Sequence, residues 1–200
     1  MAYSAFTIEQ IKEDFDLEIR EDFGFYERTK SVKVRKSLQD TVKENLPLAL
    51  AIGTEKAKSE MLVAPMLVEL RKLRNHEISL FSGVDFNVDS SRGLNGVCDF
   101  LLSASPFQYS IDAPVVALVE AKDDDLKDRL PQCLAEMIAA QLFNERKHNA
   151  ISILYGVVTT GSKWNFIRME EKTAWVDSKE YAIENPHKIM GILLSMVSGT

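Results

Sequence analysis

The 200-residue chain predicts an α/β fold in which helices cover both faces of one mixed sheet. Three observations carry this. The apolar run after Pro114 is continuous rather than alternating, the mark of a strand buried on both faces. Two further strand-like runs precede it, at 78–88 and 96–103. Segments with helical periodicity flank the group, at about 56–73 before it and 126–147 after it. The order is thus helix, three strands, helix, further strands, helix, and 46% hydrophobic residues suffice for one core in one domain over 1–200.

Taken in order, Thr7 and Gln10 form a capping-box pattern ahead of Ile8, Ile11 and Phe15, which predicts a helix over 8–16. The aromatic, mixed-charge stretch 22–27 reads as a loop or a short edge strand. From 34 to 50, Leu38, Val42 and Leu46 share one side of a helix that Pro47 is expected to bend or end. Thr54 caps the next helix, whose apolar face holds Met61, Leu62, Met66, Leu67 and Leu70 and which Pro65 should kink. Ile78, Leu80, Val84, Phe86 and Val88 alternate as a strand, with Gly83 at a bulge position. The strand at 96–103 is apolar except for Asp99, and 105–114 has the composition of a loop. Leu130, Leu134, Met137, Ile138 and Leu142 mark the core side of the long helix. Strands follow at 151–158, 164–169 and 173–176, the first two joined by a turn at 160–163, and a helix closes the chain at 186–197.

Composition narrows the function classes. Twenty-four Lys and Arg against 30 Asp and Glu leave a net charge of −6, which supplies no general attraction to a phosphate backbone, although a local basic groove remains compatible with it. Two cysteines, Cys98 and Cys133, form neither a disulfide framework nor a zinc-ligand spacing and read as small buried hydrophobes. His76, His148 and His187 are scattered without ligand spacing. No signal pattern opens the chain and no apolar stretch approaches the roughly 18 residues of a membrane span, so a soluble cytoplasmic protein is expected.

The run at 115–122 ends in Glu120, Ala121 and Lys122. Side chains alternate along a strand, so Glu120 and Lys122 point to one face and Ala121 to the other. If the strand carrying Asp99 pairs beside it, Asp99 and Glu120 meet at one end of the sheet. Two carboxylates about 4 Å apart repel by roughly 4 kcal/mol at an effective dielectric near 20, so such a pair shares a proton or binds a cation. Mg²⁺ or Mn²⁺ suits hard oxygen ligands, and Lys122 would stand where it could orient or deprotonate a water. That chemistry is phosphodiester hydrolysis.

Asp99 followed, after a loop, by Glu120-Ala121-Lys122 at a strand end resembles the PD-(D/E)xK signature of the restriction-endonuclease-like nuclease superfamily, with Cys98 standing where proline is usual. The resemblance spans about 54–170 and implies an α-β-β-β-α-β core. It divides the chain into an N-terminal helical extension at 1–53, a nuclease-like core at 54–176 and a C-terminal helix at 186–198, and the extension is most similar to that of bacterial members. It further implies a metal site of Glu60, Asp99 and Glu120, catalytic roles for Asp99, Glu120, Lys122 and Gln132, and nucleic acid, DNA foremost, as partner. Glu136 lies one turn beyond Gln132 on the same face.

Plainer readings stand beside these. Glu60 also suits a solvated first helical turn, Gln132 a core edge and Glu136 plain helix surface. The acids at 123–125 suit a helix-capping loop that would repel a phosphate backbone. Lys163 and Trp164 either contact nucleic acid or anchor their hairpin. Two function classes follow: a Mg²⁺-dependent nuclease, or a catalytically weak or inactive binding or interaction module on the same fold. A homodimer joined through the N-terminal helices is a third expectation.

Overall fold

The computed structural model describes residues 2–121, 126–149 and 151–198. The capping box at the N-terminus forms as its residues demand: Gln10 N donates to Thr7 Oγ1 at 3.2 Å and Thr7 N to Gln10 Oε1 at 2.9 Å. It launches α1 (Ile8–Phe15), which buries Ile11 and stops at Asp16 in the left-handed region. The edge strand open as an alternative for 22–27 lies just ahead of that stretch, as β1 (Glu18–Asp22), so the N-terminal extension is not purely helical.

α2 (Lys36–Ile52) buries Leu38, Val42 and Ala49 and ends at Gly53, whose φ of 74° lets its N–H reach Ala49 O. Pro47 does not end it. Pro47 and Lys43 are both exposed, so the carbonyl deprived of its helical partner lies on the solvent side. Thr54 caps α3 (Glu55–Lys58), accepting from Ala57 N at 3.2 Å. A π-helical turn, Ser59–Val63, joins it to α4 (Ala64–Leu73). The wider turn absorbs the irregularity expected at Pro65, which then sits in the first turn of α4, where no N–H is required.

β2 (Ser79–Asp85), β3 (Val97–Ser103) and β4 (Val115–Ala121) run antiparallel in succession. α5 (Leu126–Arg146) carries the chain over to β5 (Leu154–Thr159), parallel to β4. β6 (Lys163–Glu170), β7 (Thr173–Asp177) and the short β8 (Tyr181–Ala182) follow, and α6 (Pro186–Val197) closes the described chain. The eight strands form one mixed sheet ordered β1-β7-β6-β5-β4-β3-β2, with β8 also on β6. Apolar residues fill both faces: Leu62, Leu70, Val119, Phe166 and Leu193 on the side of α2, α4 and α6, and Ile11, Leu118, Leu134, Met137 and Ile167 on the side of α1 and α5. None of the described helices is long and apolar enough to cross a membrane.

This topology fixes where polar chemistry can gather. β4 and β5 are parallel, with Ala121 level with Thr159, so both end at the same edge of the sheet, where antiparallel β3 begins and α5 enters. The carboxyl edge of parallel strands is where α/β folds place ligands.

Candidate functional site

β4 is buried along its whole length, Glu120 included. A carboxylate without solvent contact requires partners, and α5 supplies one. Gln132 Nε2 donates to Glu120 Oε2 at 2.6 Å and to Glu136 Oε1 at 3.2 Å, so one amide group bridges two acids. Gln132 and Glu136 are themselves buried. Glu136 is therefore not the helix-surface residue that its plainer reading makes it. Burial pushes its carboxyl well above the ordinary range, and the charge of Glu120 beside it adds to the effect. Its Oε2 finds no hydrogen-bond donor among the described residues. Cys98 and Cys133, both free and buried, lie close enough to these acids that their thiols are also pushed up, burial being the larger cause.

Asp99 sits on the neighbouring strand. Extending the register in which Phe100 faces Val119 by one residue brings Asp99 level with Glu120. Its Oδ2 accepts from Ala121 N at 2.9 Å, so the carboxylate is tied to the peptide that follows Glu120. On its other side Asp99 opens onto a cleft of about 290 Å³ shared with Glu55, Lys56, Ser59, Glu60, Ser82, Gly83 and Ala121. Gly83, with φ of 61°, breaks the ladder between the pairs Ser82–Phe100 and Val84–Cys98, and a side chain there would meet nothing within 4 Å. Glu60 stands on the π-helical turn across the cleft, 64% exposed and 3.8 Å from Lys56. Arg129, from the start of α5, reaches Glu55 at 3.9 Å.

The expected residues thus fall into two groups. Gln132 meets Glu120 on the α5 side, and Glu60 shares a cleft with Asp99 on the α3 side, with the backbone of Ala121 between them. Lys122 and the acids at 123–125 lie outside the described residues. Among the described residues no group of three or more His, Cys, Asp or Glu is gathered closely enough to hold a metal ion. Mg²⁺ does not require one, since it is commonly held by one or two carboxylates with water and substrate phosphate completing the shell. Asp99 and Glu120 provide hard oxygen donors of that kind. Trp164 is wholly buried and its Nε1 donates to Gly161 O at 3.1 Å, so it anchors its hairpin.

Glu55 and Arg129 carried no signal in the sequence. Both are ordinary helix residues there, and only the approach of α5 to α3 joins them. Set against models of known protein families and against curated proteins, the chain matches none.

Proposed function

We propose that the chain is a metal-dependent hydrolase of phosphodiester bonds in nucleic acid, built on a restriction-endonuclease-like arrangement of the α3–β5 region. The observation that carries this reading is the hydrogen bond from Ala121 N to Asp99 Oδ2. It holds the one acid of an otherwise apolar strand against the middle of Glu120-Ala121-Lys122. Asp99 and Glu120 would hold Mg²⁺ or Mn²⁺, with Glu60 facing them over the cleft. Such an ion supplies Lewis-acid polarisation of a phosphoryl oxygen. Gln132 orients Glu120 through its amide, and protonated Glu136 keeps the buried cluster from carrying two full charges. Lys122 would position the attacking water or, in its neutral form, take up its proton.

Purified protein incubated with single- and double-stranded DNA and RNA, in Mg²⁺ or Mn²⁺, tests this beside Lys122→Ala. Cleavage by the wild type and its loss in the variant are expected. Equal cleavage, or none in either, rejects it.

A second reading, a binding module of the same fold with little turnover, is favoured by one feature: Glu120 has no exposed surface and its carboxylate already takes the Gln132 amide. Calorimetric titration with Mn²⁺ separates the two. Heat that disappears in Asp99→Asn and Glu120→Gln belongs to the hydrolase, and no metal heat in the wild type belongs to the module.

A further inference from the structure

We propose that Gly83 is the point at which a phosphodiester backbone crosses β2 to reach Asp99, with the hydroxyls of Ser59 and Ser82 as uncharged donors to its oxygens. The proposal rests on the hydrolase reading and adds to it residues that the Asp99–Glu120 pattern does not contain.

Of the two glycines within the described strands, only one is demanded by packing. A Cβ on Gly156 would meet Met137 Sδ at 2.5 Å, whereas a Cβ on Gly83 would meet nothing within 4 Å. Ser82 faces Phe100 and Val84 faces Cys98, so Gly83 is the residue opposite Asp99 in the β2–β3 register. In a regular antiparallel ladder, side chains at opposite positions share one face with their Cβ atoms about 4.5–5.5 Å apart. A side chain at 83 would crowd the approach to the Asp99 carboxylate, and glycine keeps that approach open. Glycine inside a strand commonly marks the close approach of a ligand or of another backbone. β2 is also the last strand in the sheet order, so a chain arriving from that side has no further strand to cross.

Two hydroxyls flank this opening. Ser82 precedes Gly83 on β2, Ser59 stands on the π-helical turn one residue before Glu60, and both line the cleft with Asp99. No hydrogen bond ties either hydroxyl to another described residue. The charged groups of the lining are mainly acidic, Glu55, Glu60 and Asp99 against Lys56, and Lys56 lies 3.8 Å from Glu60 with its side chain 82% exposed. A further cation here would pair with the acids that are to hold the metal. A hydroxyl instead donates to a phosphate oxygen and leaves the carboxylates charged. Serine is among the side chains that commonly contact phosphate, and such contacts position a strand without reading its sequence.

The experiment measures binding by the full chain of a fluorescein-labelled single-stranded DNA, and of the matching RNA and duplex DNA, by anisotropy over a salt series with Ca²⁺ replacing Mg²⁺, alongside thermal melting. Gly83 has a φ of 61°, which Asn adopts more readily than most residues with a side chain, so Gly83→Asn keeps the backbone and fills the opening. It should weaken binding about fivefold or more, as for a side chain forced into occupied space, with melting unchanged. Ser59→Ala and Ser82→Ala should each weaken binding about two- to tenfold, the range for an uncharged hydrogen bond. The slope of log K against log salt should stay the same in all three, because an uncharged contact releases no counterion. Wild-type affinity in Gly83→Asn means that the glycine serves only its own backbone; it overturns the proposal and leaves the hydrolase reading standing. A reduced salt slope in either serine variant overturns it as well. No binding of any of the three nucleic acids by the wild type overturns both readings. If Gly83→Asn fails to fold, the serine variants decide: weaker binding at an unchanged slope supports the crossing, and wild-type affinity rejects it.

Discussion

Replacing Glu136 by Gln should flatten the dependence of stability on pH. Glu136 is fully buried beside Glu120, and both burial and the neighbouring charge raise its folded-state pKa well above the ordinary carboxylate value. The sign follows directly. Below the ordinary pKa the carboxyl is protonated in folded and unfolded chains alike, and its contribution to stability is complete. As pH rises past that value the unfolded chain releases the proton while the folded chain keeps it, so stability falls until the folded pKa is passed. Gln is nearly isosteric and presents an N–H₂ where the protonated acid presents its O–H, so it preserves the neutral form without the titration. Urea unfolding of both proteins at about pH 5.5 and about pH 6.5 should show the wild type losing more stability than the variant over that interval, by up to about 1 kcal/mol. Titrating groups remote from the Glu120–Glu136 pair are common to the two proteins and cancel, so the difference reports the pair. Parallel pH dependences, or a steeper one in the variant, would refute the argument that Glu136 enters the fold protonated.

Two further perturbations address the scaffold that holds the site. Gly156→Ala on β5 would bring a Cβ to 2.5 Å from Met137 Sδ and 2.8 Å from Cys133 Sγ, so these side chains of α5 must give way. A loss of about 1–3 kcal/mol in urea unfolding is expected, as for overpacked cores, and an unchanged midpoint would contradict the close packing of α5 on β5. Asp177→Asn addresses the sheet's far edge. There the buried Asp177 accepts from Gly24 N at 2.7 Å, Lys179 N at 2.9 Å, Tyr181 Oη at 2.9 Å and Tyr26 N at 3.5 Å. An amide must turn a donor toward one of these donors and leave it unmatched, at a cost of about 1–3 kcal/mol. Thermal melting that matches the wild type would contradict this.

What the sequence discloses and what it conceals divide along physical lines. β4 is legible because a strand buried on both faces must be apolar throughout, which makes Glu120 stand out at its end; Asp99 is legible for the same reason within β3. α1 is legible because Thr7 and Gln10 satisfy the free N–H groups of its first turn using local atoms alone. β1 is concealed because an edge strand of sequence EIRED, exposed along most of its length, has no apolar alternation, and its parallel partner β7 lies some 150 residues away. Glu136 is concealed for the opposite reason. The segment from Cys133 to Ala140 is buried all round, so its periodicity no longer distinguishes a core face from a surface, and an acid within it resembles a solvated one. The same blindness covers Arg129 and Glu55, whose proximity depends on how two helices at opposite faces of the sheet meet at its edge. Residues that a single strand or helix turn must select can therefore be read directly, whereas buried Glu136 and the approach of Arg129 to Glu55 become visible only when α5 is laid against β4 and α3.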